Sequence, residues 1–347
     1  MLEEALRRMK KHILSVIQVL VTVGILFWIF HDPHKRAQMI EALQNADQRW
    51  IVAGILLYGI IEILAAFRWH LLLRVQQIRL SFSRVCALLM IGIFFNQFMP
   101  GGTGGDVVKI FYLLKETPGK KAQAVLAALI DRLVGLFGLI VIASLIVYFR
   151  YDWLTKFEIT RNLTWSLMVV LAASLGGIAF SFAITGLGLV EKLPQRMPFR
   201  DKLVELSIAY NLYARAWKTS LLSIFISLGI HIASFLVFYA AARSLRATIP
   251  FGDFIAVMPI ISTLASLPIS VGGTGVREGL FQALLSALCG IREADAVVIS
   301  LTGFVMILFW GLLGGVIYLF YRPTEHAKIS EMTHEVEAVE EKIVHPK

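Results

Sequence analysis

Long apolar runs separated by short charged connectors make up most of this chain. Six of them, at roughly 13–30, 51–69, 122–149, 163–187, 219–243 and 296–321, approach or exceed the ~20 residues a helix needs to cross a bilayer. Two shorter apolar segments, 85–99 and 254–271, behave differently. Each runs through a proline into the same four residues, Gly101-Gly102-Thr103-Gly104 and Gly272-Gly273-Thr274-Gly275. Proline lacks a backbone donor and glycine raises the entropy cost of helix, so the helix breaks at both places. New helical stretches follow at 104–116 and 276–289. Neither limb alone makes a comfortable span. Broken backbone inside lipid survives only where it is buried in protein or lines a cavity. The pattern therefore predicts an all-α polytopic membrane protein with six full spans plus two re-entrant broken-helix hairpins.

Charge supports re-entry. With the N-terminus inside and both breaks re-entrant, the basic clusters around Arg7–Lys11, Arg68–Arg84, Lys109–Lys121 and Lys192–Lys218 all fall on the cytoplasmic side. If both segments crossed fully, the basic residues would divide almost evenly, against the positive-inside tendency. Three crossings and one hairpin per half invert the second half relative to the first. Residues 1–150 and 151–322 then form an inverted-topology repeat, followed by a polar cytoplasmic tail at 323–347. The halves match elsewhere too. Gln48-Arg49-Trp50 and Arg215-Ala216-Trp217 precede corresponding spans, and the halves end in IVYFR and VIYLFYR. Residues 198–218 read as an interfacial amphipathic helix, and the glutamate-rich tail as solvated.

Composition agrees with a membrane class. The chain of 347 residues is 57% hydrophobic with a mean hydropathy of +0.73 and a net charge of +9. The basic residues lie scattered between spans, which argues for an anionic lipid surface and against nucleic acid. Cys86 and Cys289 suggest neither a disulfide framework nor a metal site, and no cofactor motif is present. HExxH, CxxC and GxSxG motifs are missing, which speaks against an enzyme. The run Ile13–Phe30 follows basic residues but lacks a small-residue cleavage site, so it reads as an uncleaved first helix.

Candidate chemistry gathers at the breaks. A helix N-terminus freed by a glycine turn presents unpaired N–H groups and a positive dipole end, suited to an anionic group. Gly102, Thr103, Gly104, Gly273 and Thr274 would form these N-termini. Asp106 and Glu278 lie in the first turns that follow, as N-terminal caps or as substrate ligands. Lys109 and Arg277 either neutralise a headgroup or pair with those carboxylates, and Asn96 stands ready to bond the freed backbone. Asp131 and Arg132 fall near the start of the third span, facing a cavity or snorkelling to the interface. Glu62 and His231 sit inside spans at similar depth, as helix–helix hydrogen-bond partners or as proton-coupling groups. Arg68 and Trp69 read as an interfacial anchor.

These residues carry a resemblance. RWHLLL at 68–73, Asn96 and Pro100 leading into GGD at 104–106, Asp131-Arg132, and LPISVGGTGVRE at 267–278 resemble the flippase-like membrane protein family. That family is also described as the transmembrane region of lysylphosphatidylglycerol synthase. The resemblance covers most of residues 10–322 and implies a plasma-membrane protein, of a bacterial inner membrane, that handles lipids. Relatives often carry Glu-Arg where this chain has Asp131-Arg132. In synthase members the region moves lipid made by an attached soluble domain; this sequence shows no such domain, which leaves the lipid open. The expected function is a lipid flippase, with membrane lipids as its partners. The rivals are a scaffold presenting lipid to a separate lipid-modifying enzyme, and a proton-coupled transporter of a small anion.

Overall fold

A computed structural model describes residues 31–98, 104–186, 212–267 and 269–321, with the isolated positions Leu20, Val23, Gly24, Phe27, Val336 and Val339. Ten α-helices and no strand occur among the described residues. They are α1 (Pro33–Gln44), α2 (Gln48–Val75), α3 (Phe82–Phe98), α4 (Gly104–Glu116) and α5 (Lys121–Leu154). Then come α6 (Glu158–Gly186), α7 (Trp217–Ser244), α8 (Phe251–Ala265), α9 (Val276–Cys289) and α10 (Glu293–Phe320). Four of them, α2, α5, α7 and α10, are long and apolar enough to cross a membrane. The expected span 163–187 corresponds to the 29-residue α6. The expected first span, most of the interfacial segment 198–218, and Gly102 and Thr103 lie outside the described residues.

Local chemistry sets the boundaries. Asp32 caps α1 and Asp47 caps α2, each accepting from a backbone N–H two residues on. Gly290 ends α9 in the left-handed region at φ 68°. Between α8 and α9 the chain makes one 3-10 turn, Val271–Gly273, with Gly272, Gly273 and Gly275 all at positive φ. A Cβ at Gly273 would stand 2.8 Å from the Ala265 carbonyl oxygen, so both space and φ require glycine there.

The helices α2 and α7 pack along one another in opposite directions. Asp47 N donates to the Ser244 carbonyl at 2.7 Å, which joins the start of α2 to the end of α7. Tyr213 donates its hydroxyl to the Leu72 carbonyl at 3.1 Å, which joins the other two ends. Around this pair, α3 packs on α4 as α8 packs on α9, and α3 packs on α10 as α8 packs on α5. Likewise α2 meets α10 as α7 meets α5. At the side where α2 ends, Arg84 at the start of α3 pairs with Glu116 at the end of α4 at 3.2 Å. Tyr321, just past α10, donates to the same carboxylate at 2.5 Å. At the opposite side, Arg150 near the end of α5 pairs with Asp253 at the start of α8.

The second break lies against the end of α3. The Val271–Gly273 turn packs on the end of α3, and a Cβ at Gly272 would lie 3.9 Å from the Asn96 and Gln97 carbonyl oxygens. Gln97 donates to the Ile307 carbonyl at 3.3 Å, and its amide fills the space above Gly311 on α10. Small residues let these backbones approach, as at other membrane helix crossings. Gly105 makes the tightest approach to another backbone: a Cβ there would collide with the Gly92 carbonyl oxygen on α3 and with Asn96. Gly105→Ala is therefore expected to cost about 1–3 kcal/mol from overpacking, read as a lower thermal unfolding midpoint in detergent. An unchanged midpoint would mean that α3 and α4 separate freely.

Two expectations are corrected here. Val336 and Val339 are buried in the cluster that holds Trp69, Phe111 and Tyr112. The tail is therefore not wholly solvated: valines three residues apart share a helical face, and that face is covered here. Arg68, expected as an interfacial anchor, instead turns its guanidinium into the protein, where Asp131 and Ser227 accept from it.

Candidate functional site

The first broken pair organises a charged cluster between α2, α4, α5 and α7. Asn96 at the end of α3 accepts from Gly105 N at 2.9 Å, which satisfies one freed donor at the start of α4. One turn further, Asp106 and Lys109 face each other at 3.5 Å. Asp106 also receives Arg132 from α5. Arg68 from α2 donates through Nε to Asp131 at 2.9 Å and through Nη1 to Ser227 of α7 at 2.8 Å. Lys109 lies 4.0 Å from the other Asp131 oxygen and 4.5 Å from the centroid of the Trp69 ring. Glu62, two turns before Arg68 on α2, is buried within electrostatic reach of Lys109 and Arg68.

Three carboxylates and three cations thus share one apolar interior. Removing charge from water is costly, and Asp106, Asp131, Lys109, Arg68 and Arg132 persist there by pairing with one another. The sides of the cluster differ in access. Lys109, Asp131 and Glu62 are buried, whereas the Arg132 side chain is 56% exposed. His231 from α7 closes the floor, with Nε2 at 2.9 Å from the Gly135 carbonyl. Gly135 lies beneath the Arg68 guanidinium, close enough that a Cβ there would make ordinary contact with it at 3.4 Å.

The second broken pair holds a smaller and closed cluster. Glu278 Oε2 accepts from Gly275 N at 2.5 Å. Its Oε1 accepts from Arg277 Nη2 at 2.8 Å, Arg277 Nε at 3.0 Å and Ser300 Oγ at 2.8 Å. Phe304 covers the guanidinium face at 4.5 Å. Arg277 is buried and Glu278 is fully buried, so this pair neutralises itself. Thr274 shapes the turn through its backbone, donating to the Val271 carbonyl at 3.0 Å, with Gly273 buried beside it.

Of the residues singled out from sequence, Asp106, Lys109, Asp131 and Arg132 come together, with Gly104 opening α4 below them. Arg277 and Glu278 bond to one another, away from that cluster. The sequence reading gave Arg68 and Trp69 another role, as an interfacial anchor, and missed Ser227 and Ser300. A signal for Arg68 was present: three leucines follow Trp69-His70 before the next charge, so the apolar run does not stop at Arg68. Among the described residues no group of three or more metal-ligating side chains occurs.

Long apolar helices, paired helix breaks and an interior charge cluster define a multi-pass integral membrane protein. The chain belongs to the family described as the lysylphosphatidylglycerol synthase TM region, whose model matches residues 15–315. It is similar to a UPF0104 membrane protein of Pyrococcus horikoshii, 27% identical over 339 residues that cover 90% of this chain and 97% of the relative. A UPF0104 membrane protein of Methanothermobacter thermautotrophicus is 26% identical over 313 residues, 81% of this chain and 86% of that protein.

Proposed function

We propose that this protein moves a lipid with a phosphate-bearing polar headgroup between the leaflets of the plasma membrane, and is not an enzyme. The observation that carries the reading is the cluster of Asp106, Lys109, Asp131 and Arg132 with Arg68 at the N-terminal end of a broken helix. Such a cluster in an apolar interior marks a substrate path. Re-entrant placement of the first pair is supported by the Arg84–Glu116 bridge, which brings the start of α3 and the end of α4 to one side. The matched helix pairings support an inverted repeat of 1–150 and 151–322. Arg74, Arg79, Arg84, Lys115 and Lys120 gather at the end-of-α2 side, which supports a cytoplasmic face there and cytoplasmic termini.

Lys109 and Arg132 neutralise the headgroup phosphate while the acyl chains stay in lipid. Arg132, exposed at the rim, meets the headgroup first. The test is leaflet exchange in proteoliposomes with labelled anionic, zwitterionic and polyprenyl-linked lipids. Arg132→Ala should fold normally and lower exchange about tenfold, the worth of one charge-assisted contact. Wild-type exchange by the folded variant would remove Arg132 from the site. No exchange of any lipid by the wild type would favour the lipid-presenting scaffold. The buried Glu62 beside Lys109 favours a second reading, a proton-coupled small-anion transporter. Loss of proton-gradient dependence in Glu62→Gln, with no lipid exchange by the wild type, would select it.

A further inference from the structure

Two apolar grooves lie at equivalent places in the two sets of helices. The first, of about 400 Å³, runs between α5 and the start of α7. Its α5 wall is Ile130, Leu133, Val134 and Phe137, and Leu221 and Ile224 face them from α7. The second, of about 430 Å³, runs between α10, α1 and the start of α2. Its α10 wall is Val298, Leu301, Thr302 and Val305, with Ile40 and Ile51 opposite. Both walls use the same i, i+3, i+4, i+7 stripe, and α5 and α10 take matching places in the helix pairings. Each groove is large enough to hold a ligand.

Their positions are opposite. The first groove includes Tyr213, bonded to Leu72 near the end of α2, and the second includes Ile51 near its start. A 28-residue helix is about 42 Å long, so the grooves open toward opposite leaflets. The mouths are basic. At the first, exposed Lys218 lies 5.7 Å from the ring centroid of the lining Trp217, and Arg215, also exposed, follows the lining Ala214 in the chain. Arg36 lines the second and is exposed, while the neighbouring Arg292 is engaged by Asp295 at 2.8 Å and approaches Glu41 at 4.0 Å. An apolar slot in a membrane helix surface with a cation at its mouth fits one amphiphile: an acyl chain whose headgroup is anionic.

We infer that each groove seats an acyl chain of an anionic phospholipid, one from each leaflet, with the phosphate against Arg215 and Lys218 or against Arg36. The inference rests on the lipid-transport reading, because the two seats would be the loading and unloading ends of one path. The membrane supplies the occupant laterally, so neither seat needs an opening to water.

The test is photocrosslinking of the full chain in proteoliposomes of phosphatidylglycerol and phosphatidylcholine. Benzoylphenylalanine replaces Phe137 in the first groove or Val305 in the second. Leu145 and Leu312, exposed elsewhere on α5 and α10, serve as controls. Lipid adducts are weighed by mass spectrometry. At both groove positions phosphatidylglycerol should be enriched about fivefold over its share of the bilayer, the preference conferred by one basic side chain. That enrichment should vanish in Arg215→Gln/Lys218→Gln for the first groove and Arg36→Gln for the second. The controls should report the bulk ratio. Bulk ratios at the groove positions, or no adducts, would overturn the assignment. Leaflet exchange on the same preparations separates the two readings. Enriched adducts without exchange leave the seats standing and remove transport; exchange without enrichment does the reverse.

Discussion

Arg68→Met will lower stability by about 3–5 kcal/mol, the cost of removing one partner from a buried ion pair. Arg68 ties three helices at once: it belongs to α2, bonds Asp131 on α5 and bonds Ser227 on α7. Methionine fills much of the same volume but leaves the buried Asp131 carboxylate facing only Lys109 at 4.0 Å. The measurement is the thermal unfolding midpoint in detergent. The double variant Arg68→Met/Asp131→Asn should regain most of the loss, because the uncompensated charge is gone. Partial recovery of stability without recovery of lipid exchange would show that the pair also serves the path. A wild-type midpoint for Arg68→Met would return Arg68 to the role of an interfacial anchor.

That result bears on what the sequence could reveal. The limbs 104–116 and 276–289 were legible to the residue, since glycine turns start both helices and a Gly-Lys or Gly-Ile step follows soon after each ends. The partners of Arg68 were not legible. Asp131 lies 63 positions away and Ser227 lies 159 away, and no local spacing encodes either meeting. The same holds for Arg277 with Ser300, although Arg277 and Glu278 stood side by side in the sequence. Periodicity places a residue on a face; only the packing of α2 against α5 and α7 decides what that face meets.

The structure also separates two motifs that the sequence made look alike. Both Gly-Gly-Thr-Gly breaks precede an acid in the first turn, Asp106 and Glu278. At Asp106 the partners come from its own helix and from α5, and one of them is largely exposed. At Glu278 every partner is internal and buried. Repetition of a motif thus did not give two copies of a site. The open copy has the access a headgroup needs, and the closed copy holds the second break in shape beside the end of α3.

Glu278→Gln should accordingly be a folding defect. The carboxylate takes four hydrogen bonds, from Gly275 N, Ser300 Oγ and two guanidinium nitrogens. Glutamine keeps the shape but offers one carbonyl oxygen, and its amide group places donors toward a guanidinium that has none to accept. Arg277 then remains charged and buried without a counter-ion, at a cost of about 3–5 kcal/mol. The Gly275 N–H loses its charged acceptor, and the positive-φ turn that starts α9 loses its cap. Arg277→Met/Glu278→Gln removes the stranded cation and should recover part of the midpoint, though not the cap. The residual defect after that rescue measures the cap alone. Equal midpoints for Glu278→Gln and the wild type, with leaflet exchange lost, would instead make Glu278 a ligand of the transported lipid.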